Sequence, residues 1–132
     1  MSNLEEIRER FKNDRFATDA AGIEIDCAEP GRAVCSLTLK PHHMNANNVP
    51  MGGAIFTLAD FTCAVAANGY SEKMTVSQNA SITFLAAAKG KRLIAEADCL
   101  RSGRTTALLM VDIRDELDTY VAHATVNAYV LM

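Results

Sequence analysis

The chain has 132 residues, 49% of them apolar and 22% charged, with a formal net charge of -3. That length and composition suit one domain with a sizeable core and exclude two domains or a disordered chain. With no basic run beyond Lys89-Gly90-Lys91-Arg92, a nucleic-acid partner is not expected.

Taken in order, the chain opens on Met1-Ser2-Asn3-Leu4-Glu5-Glu6, which is polar and acidic and lacks the apolar core of a secretory signal. The cytoplasm is the expected compartment. Ser2-Asn3-Leu4-Glu5 reads as a capping box, and Leu4, Ile7 and Phe11 fall at helical spacing. A short amphipathic helix is expected over 3–13, with Glu5 and Glu6 at its positive end and Arg10 and Lys12 at its negative end. From Gly22 the period becomes two. Ile23, Ile25 and Cys27 alternate with acids, Glu29-Pro30-Gly31 breaks the run, and Ala33, Cys35, Leu37 and Leu39 resume it. This is a hairpin around a Pro-Gly turn.

Residues 45–51 form a polar loop that runs through Pro50 into Gly52-Gly53, and the glycines open the most apolar segment of the chain. Residues 54–67 contain no glycine or proline, so they read as a helix of about 25 Å with its start, buried on most sides and too polar at its flanks to span a membrane. Thr57, Asp60 and Asn68 lie near one stripe of it. A carboxylate is almost never buried unpaired. Asp60 is therefore either a structural hydrogen-bond acceptor or a catalytic group facing a cleft, and residue type alone leaves both open. Gly52-Gly53 alone would be a tight turn. Asn68-Gly69 ends the helix, with the glycine available for a left-handed cap.

Four strand-like runs follow, over 75–85, 91–102, 105–115 and 120–131, separated by Lys89-Gly90, Ser102-Gly103 and Glu116-Leu117-Asp118. Such short links favour a four-stranded antiparallel meander with one wet face. The expected class is α+β, a single domain over 1–132 in which a curved antiparallel sheet wraps one long helix. The cysteines (27, 35, 63 and 99) form no CxxC pair and have no histidine at ligand spacing. They read as inert thiols, with Cys27 and Cys35 candidates to face each other across the hairpin. His42, His43 and His123 form no metal constellation.

His43-x-Asn45, Met51-Gly52-Gly53 and Leu58-Ala59-Asp60 closely resemble the signature of hotdog-fold thioesterases of the phenylacetate-pathway (PaaI-like) type. That signature runs His-x-Asn, a loop, His-Gly-Gly and an Asp in the following helix. Residues 82–85, 101–107 and 114–116 resemble the family's later strands in order and spacing, so the likeness runs from about Phe16 onward. It implies a hotdog fold whose sheets pair into a homodimer, commonly assembling to a homotetramer, with active sites at the subunit interface. The implied reaction is hydrolysis of a small aryl- or short/medium-chain acyl-CoA to free acid and CoA, without metal or redox cofactor.

By the same resemblance Asp60 is general base or nucleophile and the Gly52 backbone N–H polarises the thioester carbonyl. Asn45 orients substrate or water, and Ser77 holds the attacking water. Met51 and Gly53 would flank the substrate. Lys89, Arg101 and Arg104 are the candidate cations for CoA phosphates, and Phe56, Phe61 and strand 75–85 are candidates for the acyl pocket. Elementary physics supports two of these roles. The first N–H groups of a helix lack intrahelical partners and sit at its positive end, and glycine admits a close approach to that backbone. One departure stands out: Met51 occupies the place of the family's histidine, and a thioether donates no hydrogen bond. The alternative is therefore an acyl-CoA-binding hotdog protein of weak or no activity. A hotdog dehydratase is disfavoured because no histidine lies in or just before the helix.

Overall fold

The computed structural model describes residues 3–131. Its elements are α1 (Asn3–Phe11), a π-helical turn (Phe16–Ala20), β1 (Glu24–Glu29), β2 (Arg32–Thr38), a 3-10 turn (Pro41–His43), α2 (Gly52–Asn68), β3 (Thr75–Phe84), β4 (Arg92–Ser102), β5 (Thr106–Asp115) and β6 (Tyr120–Val130). Ser2 and its proposed capping role lie outside the described residues. Helix α1 ends two residues earlier than expected, where Asp14 N–H turns back to Phe11 C=O.

The six strands form one sheet in the order β1-β2-β4-β5-β6-β3, every neighbouring pair antiparallel. Its inner face wraps α2. Leu58, Phe61 and Val65 on the helix join Leu37, Leu93, Leu109, Val111, Ile113 and Val126 in one core. The outer face is wetter, with exposed Glu96 and Asp98 alternating with buried Ala95 and Ala97.

The expected four-stranded meander is corrected by this order. Only β4-β5-β6 is a meander; β3 lies beside β6, and β2 takes the place beside β4. The link from β3 to β4 crosses over the end of the sheet because two acids catch it. Buried Asp115 accepts the Lys89 and Gly90 N–H groups at 2.8 and 2.9 Å. Glu116 accepts those of Lys91 and Arg92 at 2.9–3.0 Å.

Two smaller expectations also change. A bulge between Ile25 and Cys27 sets Cys27 opposite Val34 and Cys35 opposite Ile25, so these thiols do not face each other; all four cysteines are free. Gly69 is right-handed (φ -59°, ψ -35°) rather than left-handed. No left-handed cap is needed, because the Arg10 guanidinium reaches over from α1 and donates to the carbonyls of Asn68, Gly69 and Ser71 at 2.8–3.3 Å. Arg8 likewise donates twice to Ile25 C=O on β1. One sheet edge is thus covered by α1. Among the described residues, no element covers the other edge, β3.

Candidate active site

The polar stripe of α2 finds partners in order. Thr57 Oγ1 donates to Gly53 C=O at 2.7 Å. Asp60 Oδ1 accepts the Ser77 hydroxyl at 2.8 Å. Asn68 exchanges two bonds with the backbone of Thr75. Asp60 is half-buried and lines a cavity of about 330 Å³ between α2 and β3, together with Ser77, Cys63, Ala64, Ala67 and Val76. Both sequence readings of Asp60 have a counterpart here: it is hydrogen-bonded and it faces a cleft.

Gly52, Asn45 and Met51 gather at the other end of the helix. Ala54 and Ile55 N–H both return to the Met51 carbonyl at 3.0–3.1 Å, while the N–H groups of Gly52 and Gly53 head the helix, where no intrahelical acceptor exists. A Cβ at Gly52 would meet Phe84 Cζ at 3.1 Å, so only glycine keeps this approach open without displacing the ring. Asn45 lines a second cavity, of about 370 Å³, with Gly52, Ile55 and Phe84. Its side-chain oxygen accepts the Asn47 and Val49 N–H groups at 2.9 and 3.3 Å, which folds the loop, and Asn48 sits at φ 60°, the left-handed conformation that Asn tolerates. Met51 is fixed by its N–H on His43 C=O (2.9 Å), but its side chain is 56% exposed.

His43 works inward. Its Nδ1 accepts Lys40 N–H at 2.9 Å and its Nε2 bonds Ala21 C=O at 2.7 Å, in a buried position. His43→Ala is expected to lower stability by about 2 kcal/mol, since it strands the Lys40 donor. Turnover per folded molecule should stay within a few-fold, because both ring nitrogens are taken up by the backbone of Lys40 and Ala21. Urea unfolding beside kinetics checks both. His123 lies on the outer face of the sheet, where its Nδ1 meets Asp112 Oδ1 at 2.8 Å. Among the described residues no group of three His, Cys, Asp or Glu is placed to hold a metal ion.

Within one chain the site is divided. Asp60 and Ser77 come together, and so do Asn45, Met51 and Gly52. The two groups are separated by eight residues of helix, about 12 Å. The cations divide in the same way. Arg101 and Arg104 stand at the end of β4 in line with Ser77, through Ala128, Ala107 and Ser102. Lys89 stands near the other end, about 30 Å away. Arg101 lines an outer-face cleft with Gln78, Asn79 and Asn127. Neither aromatic acyl-pocket candidate, Phe56 or Phe61, lines the cavity beside Asp60 within one chain. Phe61 packs edge-on against Phe11 in the core (5.9 Å). The sequence reading missed Cys63, Ala64 and Ala67, small residues whose only signal was their spacing from Asp60.

The family model of the thioesterase superfamily matches residues 47–122. An Archaeoglobus fulgidus protein is 34% identical over 122 residues, covering 90% of this chain and 77% of that protein. The acyl-coenzyme A thioesterase PaaI of Escherichia coli is 30% identical over 113 residues, covering 85% and 79%. The structure of that PaaI protein superposes with a TM-score of 0.90 over 98% of this chain and 94% of its own, at 23% identity in that superposition. The crystal structure of a hypothetical thioesterase protein with coenzyme A from Streptococcus pneumoniae gives a TM-score of 0.84 at 27% identity, covering 92% and 96%. No helix among the described residues is long and apolar enough to cross a membrane. The chain belongs to the thioesterase superfamily, as a PaaI-like hotdog thioester hydrolase.

Proposed function

We propose that this protein hydrolyses an acyl-CoA thioester at a site shared between two copies of the chain. The observation that carries the reading is the pairing of a half-buried helix carboxylate, Asp60, with the Ser77 hydroxyl at the mouth of an apolar cavity. Asp60 activates water or attacks the carbonyl itself, with Ser77 positioning the water, and the Gly52 N–H polarises the thioester carbonyl. In one chain these groups are too far apart to act on one thioester.

The bare edge supplies the remedy. Strand β3 is ten residues long and exposed, and it carries no charge and no proline, whereas β1 carries Glu24, Asp26 and Glu29 and is covered by α1. An uncharged open edge of that length is a template for a second copy. An antiparallel pair centred on Ala80 sets the partner's Phe84 opposite Val76. Since Phe84 lies against Gly52 and Ser77 against Asp60, each Asp60 then meets the helix start of the other copy. The same pairing brings Lys89 of one copy toward Arg101 and Arg104 of the other, where they offer charge to CoA phosphates. A homodimer is thus the unit of activity, and assembly to a homotetramer is compatible with it. Asn45 and the exposed Met51 side chain, with Gly53, border the carbonyl from the partner's side. Because the proposed donor at this position is a backbone N–H, Met51 does not remove it.

The test is a panel of aryl-, short- and medium-chain acyl-CoAs, with thioester loss followed by chromatography. Turnover of at least one class establishes the activity. Saturable binding without turnover of any would favour the reading of a binding protein in which Met51 has replaced a needed imidazole.

A further inference from the structure

The cavity beside Asp60 is a slot flanked at both ends by side-chain hydrogen bonds between α2 and β3. At the near end Asp60 meets Ser77. At the far end Asn68 Nδ2 donates to Thr75 C=O at 2.9 Å and its Oδ1 accepts Thr75 N–H at 2.7 Å, tying the last residue of the helix to the first of the strand. Between them lie about 12 Å of helix. The walls are Cys63, Ala64 and Ala67 from the helix and Val76, Leu109 and Val126 from the sheet. Burial pushes the Cys63 thiol up to about 12, so it offers the slot neither charge nor a nucleophile. Within one copy no aromatic ring among the described residues lines the slot, so the chain's own walls offer an aryl group no stacking partner. Ala64 follows Asp60 by one helical turn and Ala67 by two, and a larger side chain at either would fill the space.

We propose that this slot takes the tail of an unbranched, medium-chain acyl group, and that Ala64 and Ala67 set the length accepted. The inference rests on the thioesterase reading, since it takes Asp60 as the reacting end. The tail runs from the carboxylate along the alanine stripe and stops at the Asn68–Thr75 clamp. Ala64 and Ala67 are specificity residues; neither touches the reacting atoms.

The test is kcat/KM for straight-chain acyl-CoAs from acetyl to dodecanoyl, with phenylacetyl-CoA alongside, for wild type, Ala64→Leu and Ala67→Leu. In wild type each methylene that enters the slot should raise kcat/KM by about fourfold. The rise should stop at a tail of about eight carbons, matched to the roughly 12 Å of helix. In the leucine variants the optimum should move to shorter chains, further for Ala64→Leu than for Ala67→Leu. Ala67→Val, with circular dichroism, replaces any leucine variant that fails to fold. A flat wild-type profile, a preference for the phenylacetyl ester, or an optimum unmoved in the variants would overturn the proposal. Calorimetric binding of the same esters separates the two readings. Length-dependent binding that shortens in Ala67→Leu, without turnover anywhere, would sustain the slot and remove only the chemistry. Length-independent binding would remove the slot.

Discussion

Asp60→Ala and Gly52→Pro should each lose at least a hundredfold in kcat, yet an assembly containing one chain of each should recover about a quarter to a half of wild-type turnover. On the proposed mechanism the first variant removes the carboxylate that activates water or attacks the carbonyl, a contribution of about 10²–10⁴-fold in the general-base case. The second deletes one N–H. Gly52 is the first residue of α2 after its N-cap, a position where proline is tolerated because its missing donor has no intrahelical partner. Met51 already holds φ -66° and ψ 141°, the extended region that a residue before proline requires. The added ring presses on Phe84, but that side chain is 52% exposed and has room to swing. What remains is the loss of the donor proposed to polarise the carbonyl, typically about 10²–10³-fold for such a group.

The recovery follows from geometry. If Asp60 of one copy works with Gly52 of the other, a two-fold dimer of the two variants has one wholly intact site and one doubly damaged one. Co-expression under two tags, followed by isolation of the doubly tagged protein, supplies the sample. Chromatography must again follow the thioester, because the partly exposed thiols of Cys27 and Cys99 would react with a thiol dye. A mixed assembly as inactive as its parents would place both groups of a working site in one chain and end the shared-site reading.

The parts of this molecule that were legible in its sequence are those fixed over short range. Residues 54–67 announced a helix by being apolar without glycine or proline, and α2 runs Gly52–Asn68. Pro30-Gly31 announced the β1–β2 turn. Strand order was not legible, because β3 and β4 have the period of any half-buried strand. Their separation is decided by Asp115 and Glu116, about 25 residues further along, which in sequence look like ordinary turn acids. The Arg10 cap of α2 is equally remote, 58 residues from the carbonyl it reaches. For the site, the resemblance singled out Asp60 and Ser77 separately, and the fold joins them. It gave no account of the slot, which exists only where two alanines on α2 meet β3.

The largest loss of stability is expected from Asp115→Asn, about 4 kcal/mol at neutral pH, set against a total of roughly 5–15 kcal/mol for a domain of this kind. Asp115 is 2% exposed. Its Oδ2 accepts Lys89 and Gly90 N–H, and its Oδ1 accepts Leu117 and Thr119 N–H at 3.0 and 2.8 Å. An asparagine cannot reproduce this in either orientation. Whichever way the amide turns, its NH₂ group points at two backbone donors and leaves both unsatisfied in a buried place. Burial alone would raise the carboxyl's pKa, but the N–H groups of Thr119, Gly90 and Lys89 outweigh it and hold the group well below the ordinary value of 3.8. A folded pKa below the unfolded one means stability that is fully present above about pH 4. That stability drains away as pH falls below the ordinary value toward the folded one. Urea midpoints should therefore fall for wild type between pH 5 and pH 3 and fall much less steeply for Asp115→Asn, which has already lost the linkage. The defect is also local. The freed segment, residues 89–92, leads into β4 and borders the stretch 85–88 that lines the cavity at Gly52, so KM should rise in the folded variant while Asp60 and Ser77 keep their bond. Equal urea midpoints for the two proteins at pH 7 would mean that the crossover is held by something other than this carboxylate.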